Sequence, residues 1–290
     1  MRPFQSFIVY FAWFSGVTFC FLIATILGYL VFKGAAGINL QLVFGDVPAI
    51  DALLLRRQVF DGIFPAICGT LMLITIAMLS AVPIGLSAGI YMAEYSSGWS
   101  KKVLTIVFDV MAGLPSIVIG LAGFIVTIFF HNLFPEHFGP CLLLSGLSLG
   151  FLVLPYIIRT TQAALESVPA TVRQTAPALG ATHLQNIFFV LLPNSMQGVI
   201  SGIILAIGRA AEDTAVIMLT GVVVSAGLPR SVFGPYEALP FFIYYISAQY
   251  TDQQELARGY SAALILLVLC GLLFLFAFLT QQRLKKKILF

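Results

Sequence analysis

Apolar stretches of about 20 residues recur along nearly the whole chain, and each is long enough to cross a hydrocarbon core of about 30 Å as a helix. Such a chain has lipid rather than water as the solvent for most of its surface. The composition agrees: 60% of the 290 residues are hydrophobic and 9% are charged, against about a quarter charged in soluble domains. No polar stretch between the apolar runs is long enough to build a soluble domain. The expected fold is all-α and integral to a membrane, with residues 1–290 forming a single membrane domain.

Six spans are expected, over 7–32, 63–93, 103–130, 141–158, 188–220 and 260–280. The first exceeds the core of a signal peptide and no small-residue cleavage site follows it, so it is read as a retained helix. An even number of spans returns both ends to one side. With the ends inside, the inner segments carry Arg2, Lys101, Lys102, Arg159, Arg173, Arg283, Lys285, Lys286 and Lys287; the outer ones carry Lys33, Arg56, Arg57, Arg230 and Arg258. The excess of basic residues on the inner segments favours cytoplasmic termini. Connections 33–62 and 221–259 then lie outside and 159–187 lies inside. Within the last outer connection, 238–248 is apolar but too short to cross, which suits a re-entrant or interfacial helix. Pro83, Gly85 and Gly89 in the second span and Gly113, Pro115, Gly120 and Gly123 in the third mark helices that pack closely, move or line a path.

Little in the sequence points to catalysis. There is no G-x-x-x-x-G-K-[ST] phosphate cradle, and His131, His137 and His183 fall in connections without an H-E-x-x-H or G-x-S-x-G pattern. Cys20, Cys68, Cys141 and Cys270 sit in apolar runs without metal-like spacing. No catalytic residue, metal or cofactor is expected. The net charge of +3 is small and gathered at Lys285, Lys286 and Lys287, which argues for anchoring at the membrane lipid surface and against nucleic acid as a partner.

Two places carry chemistry. Arg209, Glu212 and Asp213 (within GRAAEDTA, 208–215) lie inside the fifth apolar run, where each ionised side chain costs about 3 kcal/mol to insert and so should face protein or water. Their spacing places both carboxylates on the helical face of the guanidinium, with Asp213 the expected nearest acid to Arg209. The group is read either as a salt bridge that fixes helix packing or as an anion site, because guanidinium presents a fork of donors that matches the oxygens of phosphate or sulfate. An ionised carboxylate accepts the proton of hydrogen phosphate and repels sulfate, which gives the acids a part in selecting cargo. The second place is the connection 159–187, where Pro169, Pro177 and Gly180 punctuate short helical pieces.

Gln174-Thr175-Ala176, then Gly180, then Val190, Leu192 and Pro193 resemble the EAA-loop signature of ABC-importer permeases: E-A-A, three residues, G, nine residues, I, one residue, L-P. Gln174 stands where that pattern has an acid, and Thr175 also departs from it. Pro65-Ala66-Ile67-Cys68-Gly69-Thr70, Ala93-Glu94-Tyr95, Gly113 to Val118, Leu154-Pro155, Arg159-Thr160-Thr161 and Gly208-Arg209-Ala210 with Asp213-Thr214-Ala215 extend the resemblance to the A-type permeases of phosphate-specific transport. In the last of these, Asp213 replaces the usual Glu and Glu212 the usual Gly. The resemblance implies the type I ABC-importer permease fold with six transmembrane helices and a place in the bacterial inner membrane. It also implies a heterodimer with a C-type permease subunit, two copies of a cytoplasmic ABC ATPase docked on the inner loop, and an external phosphate-binding protein. Gln174, Thr175, Ala176, Gly180, Leu192 and Pro193 would couple to the ATPase, and Arg209, Glu212 and Asp213 would meet the cargo. The alternatives are a stand-alone secondary transporter or channel, or a permease for sulfate, molybdate or tungstate.

This topology has a direct check: a cysteine placed at Ala178 is expected to react with an impermeant thiol reagent from the cytoplasmic face alone. Labelling from outside would invert the arrangement.

Overall fold

The computed structural model describes residues 3–54, 56–134 and 139–288, with side chains over 7–54, 56–134 and 139–283. Arg2, His137 and the side chains of Lys285, Lys286 and Lys287 therefore lie outside the described residues. In chain order the helices are α1 (Pro3–Ala35), α2 (Leu40–Phe44), α3 (Ala49–Leu53), α4 (Phe64–Glu94), α5 (Gly98–Gly113), α6 (Ser116–Leu133) and α7 (Leu142–Glu166). They continue with α8 (Ala170–Arg173), α9 (Thr175–Ala178), α10 (His183–Asn186), a π-turn at Ile187–Leu191, α11 (Leu192–Glu212), α12 (Ala215–Thr220), α13 (Leu239–Gln249) and α14 (Gln253–Ile288). Among the described residues the only β-type pairing is a bridge between Val222 and Tyr236.

Six helical stretches are long and apolar enough to cross a bilayer: Phe7–Ala35, Phe64–Glu94, Ser116–Leu133, Leu142–Glu166, His183–Glu212 and Gln253–Arg283. Four differ from the expected spans; the sixth begins at Gln253 rather than 260. The third is not continuous from 103, because Leu114 and Pro115 are both extended (ψ 131° and 137°) and separate α5 from α6. A proline bars the α conformation from the residue before it unless packing holds the helix together, and α5 buries no residue that would do so. Pro83 and Pro155 stay inside α4 and α7, which grip each other along their length. The fourth span runs on to Glu166, so the inner loop begins later than 159. The fifth stops at Glu212, where Asp213 turns extended (φ −77°, ψ 114°). The short apolar stretch expected over 238–248 forms α13, whose 11 residues make a helix of about 16 Å.

The α4–α7 pair is the spine of the fold. It closes because small residues on each helix face bulkier ones on the other: Gly85 lies against Ile157, Gly89 against Thr161 and Gly146 against Ile76. In lipid, burying apolar surface between helices gains nothing over contact with acyl chains, so close approach and dispersion must supply the attraction. Leu73, Ala77, Leu142, Leu149 and Leu152 of this pair bury together with Ile119 of α6, Val216 and Ile217 of α12, and Tyr236. α11 joins the other side of α7, where Gly198 meets the Ala164 side chain and Gly202 meets Thr160. α1 touches the rest chiefly through α14, where Ser261 Oγ donates to the Gly34 carbonyl at 2.8 Å and Tyr29 meets Tyr260 edge-on at 5.9 Å.

The seam predicts a contrast between two glycines. A Cβ at Gly89 would lie 2.6 Å from the Thr161 Cβ and 2.9 Å from the Ile158 carbonyl, whereas one at Gly28 would meet nothing within 4 Å. Gly89→Ala should overpack the seam and cost about 1–3 kcal/mol, seen as a lower thermal midpoint in detergent; Gly28→Ala should leave the midpoint in place.

Candidate functional site

Ending α11 at Glu212 gives the polar cluster its shape. Arg209, in the last turn of α11, donates from Nη1 to Glu212 Oε1 at 3.1 Å, and its Nη2 lies 3.3 Å from Asp213 Oδ2. Glu212, rather than the expected Asp213, is the nearer acid. The reason is that Asp213 is also engaged elsewhere, since its Oδ1 accepts the Val216 N–H at 2.9 Å and so caps the first turn of α12. One carboxylate thus satisfies an orphan amide of the restarted helix and neutralises the guanidinium at the end of the previous one. The three side chains differ sharply in access. Asp213 is 3% exposed, Arg209 32% and Glu212 66%. Ala210 and Ala211 beside them are buried, and Ala210 packs against Ala81, Val153 and Ile157 at the spine. The arrangement is a half-buried guanidinium held from behind by a sequestered acid, with a second, open acid at its front. It offers free N–H donors to an anion and a carboxylate acceptor beside them.

At one end of the bundle the chain between α7 and α11 folds into a compact knob. α8 and α9 are single turns joined at Gln174, and Gly180 ends α9 with φ +82°, its N–H donating to the Pro177 carbonyl at 2.9 Å. Glycine reaches that left-handed region without a Cβ clash. Thr182 then opens α10 with a capping box, its hydroxyl accepting the Gln185 N–H while Gln185 Oε1 accepts the Thr182 N–H. Leu191 is buried, and Leu192 and Pro193 start α11 directly beneath the π-turn. Gln174, Thr175, Pro177, Ala178, Leu179 and Gly180 are solvent-facing, and Leu179 is 88% exposed.

What locks this knob to the membrane helices is an ion pair whose members sequence reasoning did not assign. Arg173 Nη1 donates to Glu94 Oε1 at 2.6 Å and its Nη2 donates to the Leu165 carbonyl at 2.6 Å. Asn186 Nδ2 donates to the Arg173 carbonyl at 3.0 Å, and His183, edge-on to Tyr95, lies 3.6 Å from the other Glu94 oxygen. The Glu94 side chain is only 5% exposed. The last residue of α4 is therefore bound to both halves of the knob. The signal for it was Glu94 at the end of a long apolar run, where an acid meets a C-terminal helix dipole only at a cost and so needs a cation. Nearby, Arg159 reaches α5, donating to the Thr105 carbonyl at 2.8 Å and pairing with Asp109, while Lys101 pairs with Glu166 at 2.7 Å.

The opposite end holds one more buried acid. Glu237 Oε1 accepts the Ala226 and Gly227 N–H groups at 2.9 and 2.8 Å. Burial pushes its carboxyl up to about 7 despite these two donors, which work in the opposite direction. Oε2 is free to carry the proton. Among the described residues no group of three His, Cys, Asp or Glu side chains is placed to hold a metal ion.

The family model described as "Binding-protein-dependent transport system inner membrane component" matches residues 85–286. The phosphate transport system permease protein PstA of Yersinia pestis is 34% identical over 252 residues, spanning 84% of this chain and 78% of that protein. PstA 1 of Mycobacterium tuberculosis (strain H37Rv) is 34% identical over 218 residues, spanning 74% and 68%. The probable ABC transporter permease protein YqgI of Bacillus subtilis (strain 168) is 29% identical over 259 residues, spanning 83% of each. Among solved structures, a bacterial ABC transporter that imports the acidic polysaccharide alginate shares the fold at 16% identity, with a TM-score of 0.60 over 92% of this chain and 95% of that one.

Glu237 sets a pH dependence. The unfolded carboxyl titrates at 4.5 and the folded one at about 7, so the folded state holds the proton more tightly. The associated stabilisation is complete below about pH 4.5 and is lost as pH rises through about 7. The thermal midpoint of the purified chain is expected to fall across that window. Glu237→Gln, whose amide oxygen still accepts both N–H groups, should flatten the profile; an unchanged slope in the variant would place the titration elsewhere.

Proposed function

Because the chain belongs to the family of binding-protein-dependent transport system inner membrane components, we propose that it is the permease subunit of an ATP-driven importer of inorganic phosphate, forming half of the translocation pathway and receiving the cytoplasmic ATPase on the knob between α7 and α11. The observation that carries this reading is the knob itself: Gln174, Thr175 and Pro177 to Gly180 face solvent, while Arg173, itself held by Asn186, fastens the same segment to Glu94 at the end of a membrane-spanning helix. A surface held this stiffly passes a push from a docked partner into the bundle rather than absorbing it. The names of the PstA relatives support phosphate as the cargo.

The remaining parts follow from that reading. The termini are cytoplasmic, a C-type permease subunit completes the pathway, two ATPase copies bind inside and a phosphate-binding protein delivers cargo outside. Arg209 binds the anion through its free N–H groups. Glu212, open to the site, accepts the proton that hydrogen phosphate carries at neutral pH and sulfate lacks, and so selects between them. This chain supplies no hydrolytic residue; ATP is cleaved on the ATPase.

The test uses two variants in the assembled transporter. Any side chain at Gly180 is strained by φ +82°, at a cost of about 1–3 kcal/mol that the exposed loop relieves by changing shape. Gly180→Val is therefore expected to insert normally but to retain the ATPase at least tenfold less well. Arg209→Ala should assemble with the ATPase yet lose phosphate uptake. Normal ATPase retention and normal uptake in both would remove the proposal.

A further inference from the structure

At the end of the bundle opposite the knob, three arginines meet around one cavity of about 1090 Å³. Arg56 and Arg57 follow α3, and both of their backbone N–H groups donate to the Asp51 carbonyl, at 2.9 and 3.4 Å, which fixes how the pair is presented. Arg230 comes from the loop after α12. The two segments meet at Gly227, where a Cβ would lie 3.1 Å from the Phe60 ring and 3.4 Å from Gln58 Oε1. Glu237 holds the same glycine from the other side through the bond to its N–H. The two segments that carry the three arginines are thus held together at a buried glycine.

Their charge is not balanced locally. None of the three has an ion pair among the described residues, and no Asp or Glu is among the described residues that line the cavity. Three like charges around one concavity repel one another, and a bound anion relieves that repulsion. The guanidinium fork matches phosphate oxygens. The remaining wall includes Cys68, Leu71 and Met72 from the first turns of α4, so the basic rim stands over an apolar crevice where a membrane helix begins. That pairing also suits a phosphorylated head group with its acyl chains alongside.

We propose that Arg56, Arg57 and Arg230 form a receptor for a phosphate group, separate from the Arg209 cluster and filled either by free inorganic phosphate or by the head group of an anionic phospholipid. Its position on the outer face rests on the orientation proposed above; the binding does not. On that face, free phosphate held there is concentrated before it enters the pathway, whereas a lipid held there ties the outer loops to the bilayer.

The experiment compares, in maltoside detergent, the assembled transporter carrying Arg209→Ala, which removes the anion site proposed above, with the same protein carrying in addition Arg56→Gln, Arg57→Gln and Arg230→Gln. Equilibrium dialysis against labelled inorganic phosphate reads the first source, and native mass spectrometry with added phosphatidylglycerol reads the second. The added triple substitution is expected to weaken binding of one of the two probes at least tenfold; the affected probe names the ligand. A triple Arg→Lys variant in the same Arg209→Ala background, which keeps the charge and loses the fork, should fall between the parent and the Gln variant and guards against a folding defect. Unchanged binding of both probes in the Gln variant would overturn the proposal. So would an Arg209→Ala parent that binds neither probe, or a defect confined to capture of the external binding protein, which would make the cavity a protein-docking surface.

Discussion

The close approach of α4 and α7 is the constraint on which everything else depends. Glycine on one helix facing Ile or Thr on the other brings the axes near enough for dispersion to hold them in a solvent that gives no hydrophobic reward for helix contact. Both functional ends hang from that seam. At one end α4 delivers Glu94 to Arg173, and α7 runs directly into the knob. At the opposite end Thr70 Oγ1 accepts the Leu239 N–H at 2.9 Å, beside the loop that Glu237 organises. α11, carrying Arg209, is packed on α7 through Gly198 and Gly202.

A knob fastened by an ion pair and a polar cluster placed at a helix break make mechanical sense together. The Glu94–Arg173 pair is nearly buried on the acid side, and its guanidinium also bonds the Leu165 carbonyl, so opening it leaves several polar groups unpaired at once. Motion of the knob therefore carries α4 and α11 with it. At the other end of α11, Asp213 replaces the continuous backbone ladder with a single side-chain cap to Val216. A joint made of one cap and one ion pair yields more readily than an unbroken helix.

The two ends of the bundle contrast in charge. At the knob end the charges are paired: Arg173 with Glu94, Arg159 with Asp109, Lys101 with Glu166. At the opposite end, Arg56, Arg57 and Arg230 line one cavity without an ion-pair partner among the described residues, while the buried acid beside that loop, Glu237, is spent on backbone N–H groups. Such an end attracts anions by its field alone.

Run length and hydropathy were enough to determine that the chain is helical, crosses a membrane and has six spanning segments, because the thickness of the bilayer and the need to satisfy every backbone group leave few other solutions. That Gly180 punctuates short helical pieces was legible from its type and its place after Pro177, whereas its φ of +82°, which few residues other than glycine adopt at little cost, came only with the structure. The pairing of Arg209 with both acids followed from helical spacing, though their order did not, because Asp213 leaves the helix to cap the next one. Pro115 ends a helix and Pro83 does not, and nothing local separates them; the difference is that α4 is gripped by α7 along its length, whereas α5 buries none of its residues. The Glu94–Arg173 pair joins residues far apart along the chain, and Arg56, Arg57 and Arg230 come from two distant loops. Such juxtapositions are decided by how the helices pack, a property of the three-dimensional sum of contacts that no single stretch of sequence contains.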